Sequence, residues 1–283
     1  MNSESADDDP SFRIISRVYP TSTETLKGLQ DEPLVVRQEW PGGRVDTVRI
    51  VNPERSYQIP TFVFWDETVT PGQQGLIKEA FDEMFDEIGF DKTQLNFFGN
   101  WHEEEYKDKD GKLIPHKSIE WQVQSKWDNS RQKVDGDRVA YEMFNDPYQV
   151  DLPHWEVIFT NKDLCTPETN FVIGIAQPDL GTLISLKRLE AIGDIGLRGE
   201  TQKTEIFHEV GHVFGLPTGR RGTARLEQSL GAHCKSPGCS MKQGLRVPDD
   251  WIGFTKERLR SGGKPFCNEC ATDLKTKFHR KHS

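Results

Sequence analysis

The chain has 283 residues, and its 36 basic and 45 acidic side chains give a formal net charge of −9 at pH 7. This length suffices for one large domain or for one domain with an appendage. A net acidic chain disfavours nucleic-acid binding, which usually requires a basic surface, and no stretch approaches the ~20 consecutive apolar residues of a membrane-spanning helix. Composition therefore predicts neither a nucleic-acid nor a membrane partner, and no obligate protein partner is evident.

The first residues are acidic and lack the apolar run of a secretory signal, which favours a cytoplasmic protein. Residues 1–10 are predicted to form a disordered acidic tail. The cysteines are five in number and clustered in the sequence: Cys165, Cys234, Cys239, Cys267 and Cys270. In a reducing compartment, an odd count with clustered spacings favours metal binding over disulfides.

Residues 11–60 contain short apolar runs that are interrupted by Pro-Gly-Gly at 41–43. This pattern predicts a β-rich N-terminal extension with a hairpin turn at the interruption. It does not distinguish a separate small domain from extra cover on the main domain or from a pro-segment.

The next segment predicts a strand followed by an amphipathic helix. Thr61–Trp65 is an apolar and aromatic run typical of a buried strand. Pro71 suits the first turn of a helix. The residues after it place apolar side chains on one helix face, namely Ile77, Ala80, Phe81, Met84, Phe85 and Ile88. We expect this stripe to be core and not a cofactor site.

Residues 101–127 are very polar and predict a long hairpin or loop, with His102 and His116 as ordinary surface histidines. A short helix is predicted at 138–144. Three strand-like runs follow at 155–160, 171–177 and 182–187. Strands that alternate with helices predict an α/β or α+β sheet layer.

The segment I-F-H-E-V-G-H-V-F-G contains His208, Glu209 and His212 in the arrangement H-E-x-x-H. Because residues four apart lie on one helix face, one zinc ion can take a nitrogen from each imidazole. Glu209 follows the first ligand directly and can reach a zinc-bound water as a general base. The polar stretch 201–204 is predicted to start this helix, and Gly215 to end or bend it. The alternative is a surface helix that carries two histidines by chance.

A second cluster of metal-binding residue types lies downstream. His233 is the candidate for the third ligand of the first zinc ion. Cys234 and Cys239 have four residues between them, and Cys267 and Cys270 form C-x-x-C. Four thiolates in two close pairs are typical of a closed, tetrahedral structural zinc site. Two disulfides or buried free thiols are the alternatives.

The combined pattern resembles that of the archaemetzincins, a family in the metzincin clan of zinc proteases. That family joins H-E-x-x-H-x-x-G to a third histidine followed directly by cysteine, then to C-x-M and to C-x-x-C. The corresponding residues here are His208 to Gly215, His233-Cys234, Cys239-Ser240-Met241 and Cys267 with Cys270. The likeness also includes F-V-I-G-I-A-Q and G-T-L-I-S-L-K-R-L within 171–189. It covers roughly residues 60–275 and leaves the first sixty unexplained.

The resemblance implies an α+β, metzincin-like fold with a twisted mixed sheet. Backing and active-site helices lie above a cleft, and a small irregular or helical C-terminal subdomain lies below it. The peptidase domain would be residues 61–283, with an upper part 61–215 and a lower part 216–283. The roles implied by position are the catalytic zinc ligands His208, His212 and His233, the base Glu209, the Met-turn residue Met241, and a second, structural zinc ion on Cys234, Cys239, Cys267 and Cys270.

Two departures from the family accompany this match, and one residue that some metzincins use is absent. The family has two residues between the glycine and the third histidine, whereas this chain has the seventeen residues 216–232. We expect this insertion to form a loop or short helix over the cleft, and it introduces Glu227 as a rival third ligand. The interval from Met241 to the C-x-x-C is longer than usual, and no tyrosine directly follows Met241.

The resulting hypothesis is a zinc-dependent endopeptidase or aminopeptidase that hydrolyses peptide bonds of a peptide or protein substrate through a zinc-bound water. By analogy with metzincins, the strand at 182–186 would pair with the extended substrate. One alternative is a catalytically silent, zinc-stabilised module that binds peptides or a protein. Another is a hydrolase of a different substrate class, for which a basic loop beside the cleft could favour acidic groups; its residues are Arg220, Arg221 and Arg225.

Overall fold

The structure is a computed structural model that describes residues 34–39, 45–50, 56–100, 118–145, 153–218, 226–227 and 232–278. Residues 34–39, 45–50, 144–145 and 227 are described by their backbone alone. Predictions for the acidic tail 1–10, for His102 and His116, and for the basic loop with Arg220, Arg221 and Arg225 lie outside the described residues.

The strands in chain order are β1 (Leu34–Glu39), β2 (Val45–Ile50), β3 (Thr61–Trp65), β4 (Leu95–Gly99), β5 (Trp127–Asp128), β6 (Lys133–Asp135), β7 (Trp155–Thr160), β8 (Leu164–Cys165), β9 (Gly174–Gln177), β10 (Gly181–Ser185), β11 (Leu226–Glu227) and β12 (His233–Cys234). The α-helices are α1 (Pro71–Ile88), α2 (Ile119–Gln124), α3 (Gly136–Asn145), α4 (Ile195–Val213), α5 (Asp249–Arg260) and α6 (Asn268–Phe278). Short 3₁₀ helices occupy Lys92–Gln94 and Lys187–Ala191.

The main sheet is mixed, with the strand order β4-β3-β7-β10-β9. Its first four strands are parallel, whereas β9 runs antiparallel to β10. The central strands β3, β7 and β10 are buried along their whole length, as expected for strands covered on both faces. The predicted α+β class with a mixed sheet and helices is confirmed.

Helix α1 covers one face of this sheet. Thr70 and Gln73 form a reciprocal capping box at its start, Pro71 occupies the first turn, and Gly89 ends the helix with φ of 84°. Because the cap, the proline and the terminal glycine agree with the apolar spacing, the element begins and ends where its residues favour it. All six residues of the predicted stripe are buried in the core against the sheet and α4.

Helices α2 and α3 cover the opposite face of the sheet and form a second apolar cluster with it. The short helix predicted at 138–144 is confirmed as part of α3. The prediction of a long hairpin or loop at 101–127 is wrong at its end. There Ser118 caps α2, and Ile119 and Val123 are buried beneath it, so tertiary packing outweighs the polar composition of the stretch.

The antiparallel pairing of β1 with β2 agrees with the hairpin predicted around 41–43. The described residues beyond position 218 form the two-stranded β11–β12 sheet and the helices α5 and α6. Within the described residues, no helix combines the length and the apolar character needed to cross a membrane.

Helix α5 is fastened to α4 by a fully buried arginine. Arg258 is 1% exposed, and its guanidinium donates to the Glu200 carboxylate, to the Thr204 hydroxyl and to the carbonyl of Gly263. Its guanidinium also lies 5.2 Å from the ring centre of Phe207. A buried cation needs this many partners to offset its desolvation, so α5 takes a fixed position along α4.

Candidate metal centre

Helix α4 is longer than the sequence predicted. It begins at Ile195, where the Asp194 side chain accepts a hydrogen bond from the backbone N–H of Leu197, and not at the polar stretch 201–204. Its α-helical turns end at Val213, and Gly215 follows with φ of 89°. This left-handed residue turns the chain back, so that the Leu216 carbonyl reaches the last helical turn.

Both histidines of α4 are held through their Nδ1 atoms. His208 Nδ1 lies 2.8 Å from the carbonyl oxygen of Ser240, and His212 Nδ1 lies 2.9 Å from that of Leu216. Since a carbonyl only accepts, each Nδ1 carries the proton and each Nε2 is left as a lone-pair donor. The two Nε2 atoms are 3.2 Å apart. Carbonyl-oriented imidazoles of this tautomer are the usual ligands of a metal ion in proteins.

His233 joins this pair from β12. Its ring centre lies 5.2 Å from that of His208 and 5.0 Å from that of His212, and the ligand atoms of all three lie within 4.8 Å of one another. The rival ligand Glu227 is opposite His233 in the β11–β12 pairing, but its side chain lies outside the described part. A set of three imidazoles suits zinc and leaves a fourth tetrahedral position open.

Burial favours the neutral form of the two imidazoles on α4, His208 and His212. Desolvation, followed by the charges of His212 and His233, holds the pKa of His208 well below its ordinary value. Desolvation and the His233 charge lower the pKa of His212 to about 4. Neutral imidazole is the form that binds a metal ion, so His208 and His212 are in the binding form at neutral pH.

Glu209 lies beside the histidines and against the backbone of β9. A Cβ atom placed on Gly174 would come within 2.5 Å of Cγ, Cδ and Oε1 of Glu209. Only glycine leaves room there for the carboxyl group. Glu209 is 7% exposed, and desolvation raises the pKa of its carboxyl to about 8, while a hydrogen bond from Glu205 lowers it.

A cavity of about 730 Å³ opens over these side chains. The three histidines and Glu209 line it on one side. Its other walls include the apolar residues Phe171, Val172, Leu216, Val247 and Trp251. Apart from these ligand candidates and Glu209, the described residues that line it are uncharged, which suits a cavity with a few placed polar groups among apolar walls.

The prediction that the strand at 182–186 pairs with substrate is wrong, because β10 is hydrogen-bonded to β7 on one side and to β9 on the other. Among the described strands, β9 is the edge on this side, and it is shorter than the predicted run 171–177. The hydrogen bond from the Ser185 N–H to the Ile173 carbonyl shows which residues near β9 direct their backbone groups toward β10. Since antiparallel pairs alternate, the backbone groups of Gly174 and Ala176 point away from β10, and both residues line the cavity.

The four clustered cysteines form a second group of candidate ligands. The sulfur atoms of Cys234, Cys239, Cys267 and Cys270 lie within 4.8 Å of one another. The Sγ atoms of Cys234 and Cys267 are 3.9 Å apart, and those of Cys239 and Cys270 are 3.5 Å apart. Sulfurs bonded at about 2.3 Å to one tetrahedral zinc ion would be ~3.8 Å apart, whereas a disulfide needs about 2.05 Å. All four are free thiols, so the geometry fits a metal and not two disulfides.

Neighbouring sulfurs also divide the protons of this cluster unevenly. A hydrogen bond from the Cys239 thiol lowers the pKa of Cys234 to about 6. A bond with Cys234 also lowers the pKa of Cys267, and it raises that of Cys270. Thiols that share protons at this spacing can exchange them for a cation, which needs the thiolate form. The fifth cysteine, Cys165, is buried in β8, away from the cluster.

Two backbone links join the cysteine cluster to the histidine site. Cys234 directly follows His233, and Ser240, whose carbonyl oxygen orients His208, directly follows Cys239. Met241 comes next and is fully buried. A Cβ atom on Gly211 would collide with its Sδ, so Met241 packs against the backbone of α4 between the two histidines.

Sequence reasoning missed two residues near Glu209. Glu205 lies one helical turn before Glu209 and is fully buried, and Trp251 of α5 donates its indole N–H to the Glu205 carboxylate. The spacing of two glutamates four residues apart was visible in the sequence as an unfavourable like-charge pair. The partner Trp251 was not, because it lies 46 positions away.

Comparison with known proteins supports the resemblance. No family model matches the chain. Over 128 residues it is 31% identical to the archaemetzincin of Pyrococcus horikoshii, a match that covers 43% of this chain and 55% of the relative. Over 88 residues it is 40% identical to the archaemetzincin of Pyrococcus furiosus, covering 29% of this chain and 38% of that one. The chain thus matches about half the length, or less, of these relatives.

Among solved structures, the crystal structure of an archaemetzincin from Methanopyrus kandleri is similar with a TM-score of 0.52. The identity is 18%, and the alignment covers 79% of this chain and 97% of that chain. At this identity the likeness concerns the fold alone. Sequence and fold therefore point to the same group of proteins.

Proposed function

Since the chain is archaemetzincin-like in sequence and in fold, we propose that it is a zinc-dependent metallopeptidase that hydrolyses peptide bonds with Glu209 as its general base. The observation that carries this proposal is the convergence of three imidazoles beside a buried carboxyl group, in a cavity with a strand edge along one wall. Imidazoles, base and strand edge are the parts that peptide hydrolysis needs.

His208, His212 and His233 would hold the catalytic ion. Bound there, zinc would supply Lewis-acid polarisation of the scissile carbonyl and would acidify a water molecule. The chain itself fixes the direction of two of these ligands, His208 and His212, because the carbonyl groups of Ser240 and Leu216 hold their Nδ1–H groups and leave Nε2 free. These carbonyls therefore set the ring orientation before any ion binds.

Glu209 would take the proton of the attacking water and later give it to the leaving amine. The Gly174 backbone limits where its carboxyl can go, and burial keeps the pKa of this group close to neutral pH. A base with such a pKa can both accept and return a proton at neutral pH.

An extended peptide would bind along β9 and not along β10. The outward backbone groups of Gly174 and Ala176 offer N–H donors and C=O acceptors to a substrate strand. The apolar walls of the cavity would accommodate uncharged side chains. The four cysteines would hold a second zinc ion with a structural role, since an all-sulfur tetrahedral site leaves no open position.

Metal analysis combined with a proteolysis assay tests this proposal. We expect two zinc ions per chain, of which a chelator removes the one at the histidine site first. We also expect chelator-sensitive cleavage of an unfolded protein or of a peptide library. A Glu209→Gln variant should keep both ions and lose turnover, because an amide cannot accept the proton.

Zinc at both sites without any cleavage would instead favour a catalytically silent peptide-binding module. Full activity of Glu209→Gln would refute the role of Glu209. A peptide with a blocked N-terminus separates an endopeptidase, which still cleaves it, from an aminopeptidase, which does not.

A further inference from the structure

Glu205 has a buried carboxyl group that needs an explanation. It is 0% exposed, and the indole N–H of Trp251 donates to its Oε2 atom. Among the described residues, no N–H donor reaches its other oxygen, Oε1. The neighbouring carboxyl group is that of Glu209, one helical turn further on, and its charge acts on Glu205.

Trp251 is itself held firmly. A Cβ atom on Gly244 would collide with the six-membered ring of the indole, so this ring packs directly against the Gly244 backbone. Its ring centre also lies 6.0 Å from that of His208. Trp251 belongs to α5, which Arg258 fastens to α4. The indole N–H therefore has one direction in which to point, which is toward Glu205.

Two buried carboxylates one turn apart repel each other, and a single proton shared between them removes this repulsion. The Trp251 N–H occupies Oε2 of Glu205, so Oε1 is the atom left to share that proton with Glu209. Desolvation, and next the charge of Glu209, raise the pKa of Glu205 well above its ordinary value. Glu205 can then donate an O–H bond to the Glu209 carboxylate, as buried neutral acids do.

We propose that Glu205, held by Trp251, is a positioning residue that orients the Glu209 carboxylate between β9 and the metal ligands. This inference rests on the proposed function of Glu209. The backbone of Gly174 limits Glu209 from one side, and the O–H bond from Glu205 would fix it from the other. Because Trp251 comes from the lower part of the chain, α5 would thereby help to align a base carried by α4.

A pair of variants separates positioning from mere packing. In Glu205→Gln the amide can still accept from Trp251 and still donate to Glu209. In Glu205→Leu it can do neither, although the volume is similar. We expect Glu205→Gln to keep kcat within a few-fold of wild type and Glu205→Leu to lose about 10²-fold in kcat, the lower range for general-base catalysis. KM and the zinc content should change little in both.

A readout independent of activity is the NMR signal of the Trp251 indole N–H, assigned by its loss in Trp251→Phe. We expect this signal to move in Glu205→Leu and also in Glu209→Gln, since the three groups form one hydrogen-bonded chain. The indole of Trp155, which donates to Asp179 at 3.3 Å, is the internal control and should stay in place.

Equal kcat values for Glu205→Leu and wild type, or equal losses for Glu205→Leu and Glu205→Gln, would overturn the proposal. The proposal would also be overturned if the Trp251 indole N–H signal did not move in Glu209→Gln. If the wild-type protein cleaves no substrate, the proposed function fails, and the NMR response then decides the positioning question alone. If Glu205→Leu does not fold, Trp251→Phe replaces it, because it keeps an aromatic ring at this position and removes the N–H donor; a loss of about 10-fold in kcat is then expected, and an unchanged kcat would overturn the proposal.

Discussion

Replacing Gly174 with alanine tests whether the backbone of β9 sets the position of Glu209. The added Cβ would come within 2.5 Å of three atoms of the Glu209 side chain, whereas ordinary contact begins at 3.4 Å. Strand β9 is held by its pairing with β10, so the carboxyl group has to give way by about 1 Å. A displacement of about 1 Å in a reacting group can cost ~10²-fold in rate.

We therefore expect Gly174→Ala to lower kcat on a cleavable peptide by about 10²-fold while both metal ions stay bound. The assay is the initial rate against substrate concentration, together with metal content. The control is Gly75→Ala in α1, where an added Cβ has no neighbour within 4 Å. This control should keep wild-type kcat and gain about 1 kcal/mol of stability from helix propensity. A Gly174→Ala protein with normal kcat and normal metal content would refute the reasoning.

Three further changes have defined outcomes. Cys267→Ser should be insoluble or unfolded instead of folded and inactive. The reason is that a structural zinc ion contributes ~10 kcal/mol, whereas the total stability of a domain is about 5–15 kcal/mol. A normal melting temperature of this variant would contradict the prediction. The contribution of His212 to the unfolding free energy of the metal-free protein should fall by about 2 kcal/mol between pH 7 and pH 5, because the folded-state pKa of His212 lies at about 4, below its ordinary 6.5, so that the unfolded state binds more protons at this residue as the pH falls. Urea titrations of wild type and His212→Gln measure this contribution as the difference between their pH profiles, and parallel profiles would argue against a buried neutral His212. Arg258→Leu should lose about 2 kcal/mol of unfolding free energy, because the Glu200 and Thr204 side chains lose their hydrogen-bond donor. The control Arg260→Leu, on the exposed side of α5, should stay within about 0.5 kcal/mol of wild type in the same urea titrations.

The parts of the fold that local spacing determines were predictable from the sequence. The stripe of α1 repeats at helical intervals between a capping box and a glycine, and each of these signals is local. The two histidines of α4 face one way because they are four residues apart. The start of α4 was misplaced because Gly196 and Gly199 are poor helix formers, although Asp194 is a good N-cap.

The parts that depend on distant contacts were not predictable. The spacing of the run at 182–187 does not reveal that β10 has a neighbour on each side, because strand order is a property of the whole sheet. The pairing of Trp251 with Glu205 depends on how α5 docks, which the buried Arg258 controls. The clustering of four cysteines was visible as two pairs, but their spacing cannot reveal which sulfur approaches which.

The division at residue 60, the boundary between upper and lower parts, and the cytoplasmic location remain predictions. So does the cover that the insertion 216–232 would provide over the cleft. Its described residues Leu226–Glu227 form a strand paired with β12, which places that part of the insertion beside His233.

The peptide bonds that join His233 to Cys234 and Cys239 to Ser240 connect the sulfur cluster directly to the histidine site. On the proposed two-zinc scheme, an ion held by the sulfur cluster would anchor both His233 and the carbonyl that orients His208. A protein that then lost only the ion of the histidine site would keep its fold but would be inactive. Added zinc would restore activity without any refolding, so that zinc depletion would inactivate the protein reversibly.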